Sequence, residues 1–181
     1  MKGLESLTLW NPVTRPRFSP PITEEGLSYL AGLMYLRRLN SPLTNIQDSS
    51  LKFFRNMTLL ERLDLRWSSV KGPGLVHLAH WPRLRELALP SSIQPGGLMP
   101  LALFPALEAL TFLDAVDITD EDLADLGNLK CLCILTLGRY DVSGSGLAHL
   151  GPLDSLEEVT LTWHNVGDAG LVYLQQVPFL V

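Results

Sequence analysis

A chain of 181 residues, 46% hydrophobic and 18% charged, suits a folded protein with one sizeable core rather than a disordered polypeptide. No run reaches the roughly 18 uninterrupted apolar residues of a membrane span, and the opening MKGLESLTLWNP lacks the basic-then-apolar order of a secretion signal, so the expected location is cytoplasmic, with no membrane partner. The net charge of −5 argues against nucleic acid as a partner, yet residues 1–90 carry 12 Lys and Arg against 7 Asp and Glu (+5), while 91–181 carry 2 against 12 (−10).

Taken along the chain, Leu4, Leu7 and Leu9 open on the spacing of a strand. WNPVTRPRFSPP, residues 10–21, follows, and its four prolines predict a stiff insertion loop carrying Trp10, Arg15, Arg17 and Phe18. GLSYLAGLMYLRRLNS then starts at Gly26, with leucines first at helical and afterwards at strand spacing. The phrase returns as SLKFFRNMTLLERLDL at Ser50, GLVHLAHWPRLRELAL at Gly74, GLMPLALFPALEALTF at Gly97, DLADLGNLKCLCILTL at Asp122, GLAHLGPLDSLEEVTL at Gly146 and GLVYLQQVPFLV at Gly170. These starts are 24, 24, 23, 25, 24 and 24 residues apart, the mark of a repeat protein.

The period has a physical reading. A short strand turns alternate leucines inward, a helical segment lays further leucines on the same core, and the next strand must run parallel to the last. One unit cannot cover its own leucines, whereas stacked units bury them. Thr23, Thr119 and Ser143 stand where an N-cap hydroxyl would sit, and Glu24, Glu25, Asp120, Glu121 and Asp168 fall in the first turns, where the helix dipole favours anions.

Each unit reads (I/V)-T-x-x-G-L-x-x-L-x-x-L-x-x-L-x-x-L-x-L, and its L-x-x-L-x-L core recurs in Leu60-Leu63-Leu65, Leu84-Leu87-Leu89 and Leu132-Leu135-Leu137, with Ser41 spoiling the last place after Leu36-Leu39. This resembles the leucine-rich repeat, most closely the ribonuclease-inhibitor-like and F-box-associated cysteine-containing subclass in its bacterial 24-residue I-T-D-x-G-L form. The resemblance implies an α/β right-handed solenoid of about seven repeats, parallel sheet concave and helices convex. One domain, 1–181, divides into repeats at about 4–35, 36–59, 60–83, 84–106, 107–131, 132–155 and 156–179. It also implies a non-catalytic protein-protein interaction module, or alternatively the substrate-recognition domain of an F-box-type ubiquitin ligase or a regulatory domain of a larger enzyme. Neither end carries an evident cap, which predicts a fragment of a longer chain or end-to-end self-association.

Outward columns follow from the register. The residue after the first leucine runs Glu5, Arg37, Glu61, Arg85, Glu108, with alternating signs that predict ion pairs between neighbouring strands. Between the second and third leucines stand Thr8, Asn40, Asp64, Ala88, Thr111, Thr136 and Thr160. Just beyond the strands, Trp67 with Arg38, Leu43, Arg62 and Arg66 places an aromatic among guanidinium groups, the composition enriched at protein-binding hot spots. Ala88, Pro90, Ala109 and Leu113 would extend that patch as a flat, weakly polar surface, and Trp10, Phe18, Arg139 and Trp163 complete the expected contact set for a partner protein.

No catalytic set emerges, and no cofactor or metal is expected. His77 and His149 occupy one repeat position three coils apart and read as helix surface. Cys131 and Cys133, one residue apart, suit neither a disulfide nor a zinc site and read as small core or strand residues. DAVDITDED, residues 114–122, gathers five carboxylates without the spacing of a calcium loop and reads as a solvated helix start. GPG at 72–74 and GSG at 144–146 recur at one repeat position, hence as turns rather than phosphate loops.

Overall fold

The computed structural model describes residues 3–9, 22–41, 45–112, 118–138, 142–162, 167–175 and 177. Seven short strands, β1 (Ser6–Thr8), β2 (Arg38–Asn40), β3 (Arg62–Asp64), β4 (Glu86–Leu89), β5 (Ala109–Phe112), β6 (Ile134–Leu137) and β7 (Glu158–Leu161), form one parallel sheet in sequence order. The register aligns the inward residues Leu7, Leu39, Leu63, Leu87, Leu110, Leu135 and Val159 across all seven. It also aligns the outward row Thr8, Asn40, Asp64, Ala88, Thr111, Thr136, Thr160 expected from the repeat.

Period-2 alternation is visible in the strands themselves. In β4, Leu87 and Leu89 are buried while Glu86 and Ala88 face out, and β5 repeats the pattern with Leu110 and Phe112 inside. Beyond each strand the inward leucines join a single apolar spine with the helical leucines, including Leu75, Leu78, Leu123, Leu126, Leu147 and Leu150. Full burial of each such side chain contributes about 1.5–3 kcal/mol. In the first and last strands of the sheet, Leu7 and Val159 are only partly buried, because each has a strand neighbour on one side among the described residues. Ser41, the irregular place in the leucine pattern, still points inward, and its hydroxyl reaches Asp64 O at 3.5 Å.

The helical face differs from expectation in type. Only α1 (Glu24–Ser28), α2 (Asp120–Leu126) and α3 (Gly167–Leu174) are α-helical among the described residues, whereas Tyr29–Gly32, Asp48–Phe54, Pro73–Leu78, Met99–Leu103 and Gly144–Leu150 are 3₁₀ helices. α-Helices some 10 Å across cannot follow strands about 4.8 Å apart without splaying, and the tighter 3₁₀ winding relieves that mismatch.

Neighbouring coils are stapled through carboxylates. Asp48 accepts the N–H groups of Lys71, Gly72 and Gly74 at 2.9, 3.2 and 2.6 Å. Asp120 accepts the Ser143 N–H at 2.8 Å and the hydroxyls of Ser143 and Ser145 at 2.6 and 3.0 Å. The acid thus sits over the first turn of the next coil, which explains the repeated glycine there: a methyl group at Gly146 would collide with Asp120 Oδ1, and one at Gly74 would lie 2.5 Å from Asp48 Cα. Thr23 and Ser143 cap as anticipated, accepting from Gly26 N and Ser145 N at 3.2 Å each. At α2, the Thr119 N–H and hydroxyl both donate to Asp122 Oδ2, at 2.9 and 3.1 Å.

The concave groove as candidate functional site

Two outward positions per strand shape the concave face. The first row runs Ser6, Arg38, Arg62, Glu86, Ala109, Ile134, Glu158, and the second is the threonine-rich row already described. Ala88 and Ala109 carry little bulk on β4 and β5, so a groove of about 440 Å³ opens between them and the long side chains of β2 and β3. Arg38 and Asn40, Arg62 and Asp64, Arg66, Glu86, and Thr111 line it, and Leu63 and Leu87 form part of its floor.

The charges in the groove are held unequally. Arg66 grips Asp64 through Nε at 2.9 and 3.0 Å and through a terminal guanidinium nitrogen at 2.5 Å, while the Arg66 backbone N–H meets the same carboxylate at 2.9 Å. Hydrogen bonding to Asp64 is the main cause that raises the Arg66 pKa above its ordinary value, outweighing the opposing effect of partial burial. Arg62 pairs with Glu86 on the next strand at 3.0 Å. Arg38 makes no ion pair among the described residues. It stands in register with Arg62, a like charge one strand away.

Outside the groove, of the four neighbouring pairs that the alternating column predicts, Glu5 with Arg37 and Glu61 with Arg85 do not form, while Arg37 pairs with Glu61 at 2.5 Å and Arg85 with Glu108. These are exposed pairs of small individual worth, and they align the strands rather than create a site. The Arg62–Glu86 pair belongs to the adjacent column, which the alternating pattern did not include; its signal lay in the second residue between the leucines.

Trp67 follows Arg66 and is 61% exposed. It occupies the third place of a turn in which the Ser68 N–H donates to Leu65 O at 3.0 Å, and its φ of 65° is left-handed, unlike that of any other described non-glycine residue. Gly or Asn ordinarily takes such a place. The solenoid therefore displays an indole on a backbone that a bulky side chain disfavours by about 1–2 kcal/mol.

Of the residues expected at a contact surface, Arg38, Arg62 and Arg66 converge on the groove, and Trp67 adjoins it in sequence without lining it. Trp10, Phe18, Leu43, Leu113, Arg139 and Trp163 lie outside the described residues. Pro90 is buried and drops out of the expected patch.

Two other expectations are corrected. Asp122 is 3% exposed and accepts from Gly96 N at 2.6 Å as well as from Thr119, so that helix start is an anchored joint rather than a solvated one. Cys131 is exposed and Cys133 half-buried, both before β6 and neither in the core; partial burial, with Glu157 and Glu108 nearby, pushes the Cys133 thiol pKa up. His77 and His149 are exposed, as expected of a helix surface, and His80 is exposed in the turn that follows Pro73–Leu78. Among the described residues no group of three or more His, Cys, Asp or Glu could hold a metal, and no helix is long and apolar enough to cross a membrane.

Neither a protein-family model nor a curated protein matches the sequence. Solved structures do match the fold. Internalin C2 of Listeria monocytogenes superposes with a TM-score of 0.62 at 19% identity, over 98% of this chain and 74% of that one. The fold is a leucine-rich-repeat solenoid. Internalin F of the same organism matches this solenoid with a TM-score of 0.57 at 19% identity, over 85% of this chain and 49% of its own. At that identity the likeness establishes architecture, and any role has to be argued from the groove.

Proposed function

We propose that the chain is a non-catalytic protein-interaction module that receives a partner protein on its concave face, around the Arg38, Arg62 and Arg66 groove with Trp67 beside it. The observation carrying this reading is Trp67 itself, a largely exposed indole on a left-handed backbone. Strain of this kind persists where the surrounding structure imposes it, and it concentrates at recognition sites. Trp and Arg dominate binding hot spots, and Arg66, already fixed on Asp64, loses little further side-chain freedom when a partner arrives. The amino-terminal stretch 10–21, with Trp10 and Phe18, is proposed as a second contact.

A photo-crosslinking residue at Ala88, in the groove, or at Val76, on the helical face, tests this in cells that express the chain. A protein partner should crosslink from Ala88 and not from Val76, and Trp67→Ala should lower that yield. Equal yields from both faces, or a yield indifferent to Trp67→Ala, would remove the site from the concave face.

A further inference from the structure

Resting on the reading of the concave face as the binding surface, we infer the chemistry of the partner: an extended peptide segment that carries a carboxylate side chain and, four residues along, an apolar one. Arg38 supplies the first half of the argument. Each of the other two arginines lining the groove has an acid of its own, Arg62 with Glu86 and Arg66 with Asp64. Arg38 is exposed beside Arg62 and has no acid partner among the described residues. The stretches that follow β1 and β2 in the sequence, 10–21 and 42–44, lie outside the described residues and contain no Asp or Glu. Among the described residues that line the groove, three arginines against two acids leave one positive charge in surplus, located at the β2 end.

The opposite end supplies the second half. On β4 and β5 the outward residues Ala88 and Ala109 are small and apolar, and Ile134, next in Ala109's row on β6, is 39% exposed. The groove therefore grades from a guanidinium to an apolar shelf. Strands about 4.8 Å apart put β5 roughly 14 Å from β2, the rise of about four residues of extended chain. Residues four apart on an extended chain also point to the same side, so one segment crossing the sheet presents both groups downward. A single surplus charge matches a monoanionic carboxylate. A phosphoryl dianion would leave one charge uncompensated, and a nucleic-acid backbone would bring its repeated charges against Asp64 and Glu86.

The test titrates the full chain with a fluorescent nine-residue Ser/Thr peptide carrying Glu and Leu four positions apart, read by anisotropy. Replacing the peptide's Glu by Gln should weaken binding about tenfold, the scale of one hydrogen-bonded ion pair. Arg38→Gln should do the same, and the two changes together should cost no more than either alone. Ala109→Asp should weaken the parent peptide too, and Arg38→Lys should fall between the parent and Arg38→Gln. Arg38→Gln breaks no ion pair described in the structure, so an unchanged melting curve is expected.

Equal affinity for the Glu and Gln peptides, tighter binding of a phosphoserine version or of oligouridine, or indifference to Arg38→Gln would each overturn the inference. A protein crosslinked from Ala88 through a segment lacking this acid-to-apolar spacing would also overturn it while leaving the concave face as the binding surface. Absence of any crosslink from Ala88 would count against both.

Discussion

Gly146→Ala should be destabilising, and the reason can be isolated. The added methyl group would overlap Asp120 Oδ1, approach Asp120 Cγ at 2.8 Å and press on Val142 Cγ1 at 2.9 Å. Forced overpacking of this kind costs about 1–3 kcal/mol. Asp120→Ala alone removes three hydrogen bonds to the next coil; at about 0.5–1.5 kcal/mol each, reduced because the group is partly exposed, it should cost roughly 1–2 kcal/mol. In the double variant the colliding carboxylate is gone and only the Val142 contact remains, so the combined cost should fall short of the sum by about 1 kcal/mol. Gly74 and Asp48 form the control. A methyl group there meets the Asp48 backbone, Cα at 2.5 Å and O at 2.6 Å, and truncating Asp48 leaves both atoms in place. Gly74→Ala should therefore keep most of its cost in an Asp48→Ala background. Urea unfolding of the six variants, comparing midpoints at constant slope, measures both cycles. Additivity within about 0.5 kcal/mol at Gly146 and Asp120, or equal coupling in the two cycles, would refute the stapling argument.

The same staple has a pH dependence. Partial burial alone would raise the Asp120 pKa, but the hydroxyl and N–H of Ser143, the hydroxyl of Ser145 and the field of His149 together lower it. A depressed folded value means that this stabilisation is complete above the ordinary carboxylate value of about 3.9 and is lost as pH falls through the folded one. The stability gap between the parent chain and Asp120→Ala should therefore be constant at neutral pH and close only below about pH 4; a gap closing already near pH 6 would contradict the assignment. Arg66→Ala should cost about 1–2 kcal/mol, because it leaves the largely buried Asp64 carboxylate without its guanidinium; thermal melting should show Asp64→Ala/Arg66→Ala costing less than the two single changes added. Trp67→Asn should raise stability by about 0.5–1 kcal/mol, since Asn tolerates the left-handed backbone, while lowering the Ala88 crosslink yield. Charge removal at Arg37 or Arg85 should shift stability by under about 1 kcal/mol, and less in high salt.

How far the site could be read in advance depended on which interactions are local. Arg38, Arg62 and Arg66 could be placed on one face because two residues per strand separate inside from outside, whatever the partner. Arg38 and Arg62 occupy the same place in successive repeats, yet among the described residues Arg62 has an acid opposite on the next strand and Arg38 does not. Glu86, which makes that difference, stands 24 residues beyond Arg62 and meets it only through the sheet register. The strain at Trp67 was hidden for a different reason: the turn closing Leu65 to Ser68 is local, but no propensity places a tryptophan at a positive φ.

The order of leucines by itself determined the repeat, the parallel sheet and the two faces, because strand and helix spacing are properties of adjacent residues and recur in every unit. The tertiary structure alone decided how closely one coil sits on the next. That distance converted expected helices into 3₁₀ turns, set Asp48 and Asp120 over the glycines of the following coil, buried Asp122, and left one arginine of the groove without an acid among the described residues. Each is a contact between residues about two dozen positions apart, where small differences in packing select a partner that the repeat pattern treats as equivalent.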